Sequence, residues 1–486
     1  MGTMVLLLSA LPAIGGVGDP PLPRSPDRPH VLLILLDDLG YGDLGCFNPD
    51  ARTRTPHIDR LAAEGIRFTD AHAPGSVCVP SRYGLLTGRY PWRAELSWTE
   101  RAVIEPGRKT IASILQEAGY ATSLVGKWHQ GFDGGIDFAS DAPLSGGPVD
   151  RGFDAFFGMH ASLDIPPYFF IRGNRAVAAP SGTIADHVSP EPWTRIQGAF
   201  WRGGPISPDF RMAEVLPRFA DEAVSELTRR AESAADRPFF LELALTAPHT
   251  PWLPSPRFET DGPTGLYGAF VANVDAEVGR VLDALDRLGL RDSTLVVLAS
   301  DNGPVWYPKD VDRTEHRAAG PFRGMKGDAW EGGHRIPLIV RWPGIAPAGT
   351  SCDALCCFTD LMATLAALVR LDLPDDAGED SVNLLPLWRG EVPERPIRES
   401  LVVQSSSGVL AVRQGDWVLI PSLGSGGFSD PRRVPPEPGG PTGQLYDLST
   451  DPGQQHNRFL DRPDVVARLS SLLDRLRQDG RSRPRE

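Results

Sequence analysis

Residues 30–36 read HVLLILL, seven positions with no charged residue and no alternation, and the next two residues are both aspartate. A strand with one wet face alternates apolar and polar residues, so an unbroken apolar run of this length reads as a strand buried on both faces, the habit of a parallel sheet. Helical patterns follow over 57–65, 80–88 and TIASILQEAG, then the strand-like YATSLVG, a helix around 211–232 and PFFLELAL. A helix around 266–288, STLVVLAS and IPLIVRWP continue the alternation. The pattern predicts an α/β fold, a large domain with a mostly parallel central sheet flanked by helices.

After about residue 395 the texture changes to short strands (LVVQ, GVLAVRQ, DWVLI), a Gly/Pro-rich loop over 421–443 and a last amphipathic helix near 463–477. This predicts a smaller C-terminal α+β domain with an antiparallel sheet. The expected divisions are residues 1–28, 29–395 and 396–486. Residues 4–14, MVLLLSALPAI, form an apolar run too short to span a bilayer, and a small-residue and proline-rich stretch follows, as in a leader for export to the periplasm or beyond. No later stretch reaches membrane-spanning length.

In open parallel sheets the binding crevice lies beyond the carboxyl ends of the strands. Four predicted strands end there on polar residues: Asp37-Asp38, Lys127-Trp128-His129, His249 and Asp301-Asn302. Each alone is what a solvated turn also presents. Together, three carboxylates and one amide oxygen make an oxygen-rich set suited to a hard cation such as Ca2+ or, second, Mg2+. Lys326 sits in a glycine-rich segment, RGMKGDAWEGG, where the backbone can approach a ligand closely.

Cys78 opens CVPSRYGLLTGRYPWR, where Pro80 suits a first helical position and the apolar pair Leu85-Leu86 begins only later. A helix mouth with Arg82 nearby favours an anion. The other cysteines, Cys46, Cys352, Cys356 and Cys357, match no zinc spacing, and a bridge from Cys352 to one of its neighbours stands beside free buried thiols as an open alternative. A formal charge of -13 and the absence of a basic run exclude nucleic acid as a partner. With 51 glycines and 47 prolines among 486 residues the chain is loop-rich yet short of low complexity.

CVPSR resembles the C-x-P-S-R signature of the type I sulfatases, the formylglycine-dependent branch of the alkaline-phosphatase-like fold. LLDDLGYGDLGC, LLTGRYPWR, GKWHQG, APHTP, SDNGP, FRGMKGDAWEGGHRIPLIVRWPG and LYDLSTDPGQQHN are similar to that family's other blocks, in its order. The resemblance implies a sulfuric ester hydrolase whose Cys78 is oxidised to formylglycine by a formylglycine-generating or other sulfatase-maturing enzyme. It implies that one hydroxyl of the aldehyde hydrate attacks sulfur and the other later expels sulfate.

By the same matching, Asp37, Asp38, Asp301 and Asn302 hold the divalent cation with an oxygen of residue 78, and Arg82 holds the hydrate. Asp301 takes the proton of the attacking hydroxyl, Lys127 and His129 steady the nucleophile, and His249 with Lys326 binds sulfate and serves the leaving oxygen. GMHASLD suggests Ser162 as a sulfate contact, although His160, Leu163 and Gln130 depart from the family's usual residues.

A sulfated carbohydrate or small aryl sulfate is the expected substrate, read by the loops over 133–150, 160–210 and 304–322. Tyr168, Phe169, Phe170, Trp193, Trp201, Trp306 and Tyr307 are candidates to stack on sugar rings, and Asp164, Arg172 and His316 are polar candidates. Two alternatives remain: a formylglycine enzyme acting on phosphonate monoesters or phosphodiesters, and an inactive binding protein of the same fold.

Overall fold

The computed structural model describes residues 28–136, 142–233, 237–258, 260 and 262–484, so the apolar run over 4–14, expected to be a leader, and part of the 133–150 loop lie outside the described residues. Strand His30–Asp37 is buried along its whole length. Val31, Leu33 and Leu35 belong to one core, and Leu32, Ile34 and Leu36 to another on the opposite face. That two-sided burial is why the run shows no alternation.

Phe239–Pro248 and Thr294–Ser300 pair with this strand, one on each side and both parallel to it. Ala121–Lys127 and then Ala155–Met159 extend the parallel set beyond Phe239–Pro248. On the other flank Leu338–Arg341 runs antiparallel to Thr294–Ser300, and short edge strands complete a ten-stranded sheet. Helices Cys78–Thr87, Ile111–Glu117 and Asp360–Leu368 cover one face, while Pro56–Ala63, Val215–Glu232 and Gly265–Arg287 cover the other.

Four strands, Ser400–Gln404, Leu410–Gln414, Trp417–Ile420 and Gln444–Asp447, form a separate antiparallel meander. Helix Pro463–Gln478 seals it with Leu469, Leu472 and Leu476. All five cysteines are free, which settles the alternative their spacing left open.

One core residue breaks the apolar rule. Glu242 stands between Leu33 and Leu124 in the middle of the sheet, and its Oε2 has no hydrogen-bond partner among the described residues. Burial pushes its carboxyl up from 4.5 to about 7. The folded state therefore keeps a proton that the unfolded chain releases above 4.5, so the stability this group lends at pH 4 is lost as pH rises through about 7. The difference is worth roughly 3 kcal/mol. Calorimetry of Glu242→Gln is expected to show stability near that of the parent at pH 4 and greater stability at pH 8.

Candidate active site

Five neighbouring parallel strands deliver their next residues to one edge of the sheet. Asp37 ends the central strand and Asp38 follows it, Asp301 and Asn302 follow the strand on one side, and His249 the strand on the other. Lys127 ends the fourth strand with His129 just after it, and Ser162 and Asp164 follow the fifth. Lys326 reaches the same edge because Leu338–Arg341 is antiparallel, so the chain before that strand lies where the parallel strands end. Asp38 and His129 both take positive φ, 63° and 54°. A left-handed backbone at a non-glycine residue costs about 1–3 kcal/mol, and here it turns each chain sharply out of its strand into the site.

Cys78 is the first residue of its helix, and Pro80 is the third rather than the first. Proline fits there because N–H groups in a first turn have no helical acceptor. The buried Sγ donates to Asp37 Oδ1 at 3.4 Å and accepts from Lys326 Nζ at 3.3 Å. Burial and then the Asp37 charge push this thiol well up, so a thiolate is not available at neutral pH.

Around it the charges interlock. Lys127 Nζ donates to Asp37 Oδ2 at 2.6 Å, and Lys326 Nζ pairs with Asp38 Oδ1 at 2.6 Å. Arg82 Nε donates to Asp301 Oδ2 at 2.9 Å, and its NH1 to the Lys127 carbonyl at 3.1 Å. Burial alone would raise the Asp37 carboxyl, yet Lys127, with help from His249, Arg82 and Lys326, holds it well below the usual carboxylate range. Asp301 goes the other way: burial and the Asp37 charge raise it against the pull of Arg82 and Lys127.

His129 is kept neutral by burial and by the nearby Lys127 and Arg82 charges, and neither ring nitrogen has a partner among the described residues. His249 Nδ1 lies 2.7 Å from the Thr250 carbonyl, which only accepts, so Nδ1 carries a proton. That leaves Nε2, 3.7 Å from Asp38 Oδ2, as the atom that takes or gives a second proton.

The donor set fits a hard divalent cation. Asn302 Nδ2 donates to Asp38 Oδ1 at 2.7 Å, while Asn302 Oδ1 is buried beside these carboxylates without a partner among the described residues. Ligand atoms of Asp37, Asp38, Cys78 and His249 lie within 4.8 Å of one another. A second group, His72, Glu331 and His334, is comparably close, but Arg335 pairs with both Glu331 and Asp70, and Arg413 pairs with Asp70. Two guanidinium groups there already balance the two carboxylates and disfavour added positive charge.

A cavity of about 540 Å3 opens over Cys78, and Asp38, His129, Ser162, Asp164, His249 and Lys326 line it. Its size suits a ring-sized ligand. Several residues that complete its wall were not singled out from the sequence: Trp98, Arg202, Trp252, Tyr267, Gln404, Ser405, Ser406 and Phe428. Arg202 pairs with Asp164, and the buried Gln404 Oε1 has no hydrogen-bond partner among the described residues.

Other expected contacts lie elsewhere. Tyr168, Phe169 and Phe170 are core residues, Trp306 is buried in a cluster with Trp252 and Tyr267, and Trp193 and Trp201 are absent from the cavity wall. Arg172 pairs with Glu222, and buried His316 is held by Asp43 at 2.7 Å, so neither polar side chain faces the cavity. A local signal for the missed residues was weak, because aromatic and serine residues in loops serve packing and binding alike.

The family model described as Sulfatase matches residues 29–371. The N-acetylgalactosamine-6-O-sulfatase of Bacteroides thetaiotaomicron is 33% identical, with 93% of each chain covered. Human arylsulfatase A is also 33% identical, over 97% of this chain and 90% of its own. A solved structure from a study of glycosaminoglycan metabolism by Bacteroides thetaiotaomicron superposes with a TM-score of 0.80 at 33% identity, covering 93% of this chain and all of that one.

Proposed function

This chain belongs to the sulfatase family and is a sulfuric ester hydrolase, and from that premise we propose that it removes a terminal sulfate monoester from a carbohydrate outside the cytoplasm. The observation that carries the reading is the ring of Arg82, Lys127 and Lys326 interlocked with Asp37, Asp38 and Asp301 around Cys78 at the floor of a ring-sized cavity. Its likeness to a named N-acetylgalactosamine-6-O-sulfatase supports the sugar, and the apolar run at 4–14 supports export. No helix among the described residues is long and apolar enough to cross a membrane.

In this reading the Cys78 sulfur stands where a maturing enzyme installs the formylglycine aldehyde, whose hydrate offers one hydroxyl for attack on sulfur and a second for release of sulfate. Asp37, Asp38, Asp301 and Asn302 would hold Ca2+, with Mg2+ second. The cation would supply Lewis acidity and orientation. Asp301 takes the attacking hydroxyl's proton, a role suited to a carboxylate whose affinity for protons burial has raised. Arg82 holds the hydrate, neutral His129 with Lys127 steadies it, and His249 and Lys326 meet the sulfate and the leaving oxygen. Ser162 and Asp164 contact the substrate from the fifth strand's loop. The three cations and three carboxylates cancel, so a divalent ion would leave a net positive site for the sulfate ester.

His249→Ala is expected to slow sugar sulfates about 10- to 100-fold more than 4-nitrophenyl sulfate, because a good leaving group needs little protonation. Steady-state kinetics on both substrates measure this, and an equal loss would reassign His249 to sulfate binding. Sulfate release from a panel of sulfated mono- and oligosaccharides tests the proposal as a whole. Phosphodiester turnover faster than any sulfate ester, in the same preparation, would overturn it.

A further inference from the structure

The segment that carries Lys326 is fastened on one side to the large domain, where Lys326 N donates to the Pro304 carbonyl at 2.8 Å, and on the other to a loop of the small antiparallel sheet. The Asp328 carboxylate gathers three backbone N–H groups: Phe428 and Ser429 donate to Oδ1 at 2.7 and 3.0 Å, and Met325 donates to Oδ2 at 2.9 Å. Two of these donors lie a hundred residues downstream, while the third directly precedes Lys326. Ala329 N donates to the Ser425 carbonyl at 2.8 Å, closing the other side of the same junction.

At the centre of the junction two glycines lie back to back. A Cβ on Gly427 would fall 2.1 Å from the Gly327 carbonyl carbon, so any side chain there would force the two segments apart. The seam continues to the nucleophile. Gly327 N donates to the Ser76 carbonyl at 2.7 Å, and Ser406 N to the Gly327 carbonyl at 2.9 Å. Gln404 N donates to the Pro74 carbonyl at 3.0 Å, and Ser76 N to the Gln404 carbonyl at 2.9 Å.

Backbone from the small sheet thus pins both the approach to Cys78 and the turn beside Lys326. We infer that Asp328 is a positioning residue that fixes the Lys326 ammonium over residue 78 by clamping the 425–429 loop onto the lysine's own turn. A lysine side chain has four rotatable bonds, so its placement depends on where its Cα is held. With Asp328 intact the turn is tied on both sides; in Asp328→Asn one acceptor oxygen becomes an N–H donor, so the buried N–H groups on one side of the junction lose their acceptor and the turn can drift from the site.

The inference rests on the assignment of Lys326 to the sulfate and leaving oxygen, and the test separates the two. Lys326→Ala, Asp328→Asn and the double variant are assayed on a series of aryl sulfates of decreasing leaving-group acidity, with melting temperatures measured alongside. Asp328→Asn is expected to lower kcat/KM about 10-fold on the poorest leaving groups and less on the best, the same steepening as Lys326→Ala. In the Lys326→Ala background it is expected to cost less than about twofold, since residues acting as a unit are not additive. Gly427→Ala, which wedges the same junction, is expected to steepen the series too.

A loss from Asp328→Asn that is uniform across the series, or equal in both backgrounds, would overturn the inference and leave Asp328 a general stabiliser. Unchanged kinetics would overturn it as well. Should Lys326→Ala itself leave the leaving-group dependence unaltered, the assignment of Lys326 falls and the inference with it.

Discussion

Cys78→Ala is expected to fold and to release sulfate at no more than about 10^-4 of the parent rate, the scale of loss when a covalent nucleophile is removed. The reason lies in what surrounds residue 78. Its sulfur is buried between Asp37 Oδ1 and Lys326 Nζ, and burial with the Asp37 charge drives the thiol away from ionisation. An unmodified cysteine there is a poor nucleophile, whereas an aldehyde hydrate brings two hydroxyls to the same point.

Cys78→Ser is expected to attack once and hold sulfate as a stable ester, because serine lacks the second hydroxyl needed for expulsion. Mass spectrometry of the peptide containing position 78 reads both outcomes, and formylglycine in the active parent. Full activity in a preparation whose Cys78 is entirely thiol would remove the basis for this mechanism.

Exhaustive chelation is expected to lower turnover by at least about 100-fold and to lower the melting temperature, with both restored by Ca2+ or, less well, Mg2+. Ligand atoms of Asp37 and Asp38 lie within 4.8 Å of each other, Asp301 Oδ1 accepts from the Asp38 N–H at 3.2 Å, Asn302 Nδ2 donates to Asp38 Oδ1 at 2.7 Å, and the buried Asn302 Oδ1 has no partner among the described residues. Leaving such an acceptor unmet costs about 1–3 kcal/mol.

Occupancy at about 100 times the dissociation constant would add roughly 2.7 kcal/mol of stability, which calorimetry can resolve. Elemental analysis of protein purified without chelator identifies the ion. Stoichiometric zinc without calcium or magnesium, in active enzyme, would refute an all-oxygen site.

The sequence by itself determined the sheet and the floor of the site. A strand buried on both faces must be apolar throughout, so HVLLILL announced the central strand, and a parallel sheet presents the ends of its strands along one edge. Asp37, Asp38, Lys127, His129, His249, Asp301 and Asn302 could therefore be read as neighbours although more than 260 residues separate the first from the last. Cys78, Arg82 and Lys326 became legible through their motifs, not through periodicity.

The walls were decided only by the tertiary structure. Tyr168, Phe169 and Phe170 went to the core, Trp98 and Phe428 took the cavity, and Trp252 and Tyr267 line the cavity from within the core. An aromatic side chain gains free energy by leaving water in either place, so its presence in a loop does not say which. The placement of Gln404 against Pro74, and of Asp328 against Phe428 and Ser429, depends on how the small sheet docks on the large one. The backbone-to-backbone bonds across the seam use groups that every non-proline residue carries and leave no mark in the choice of side chain, and an aspartate such as Asp328 reads from the sequence like any other turn residue.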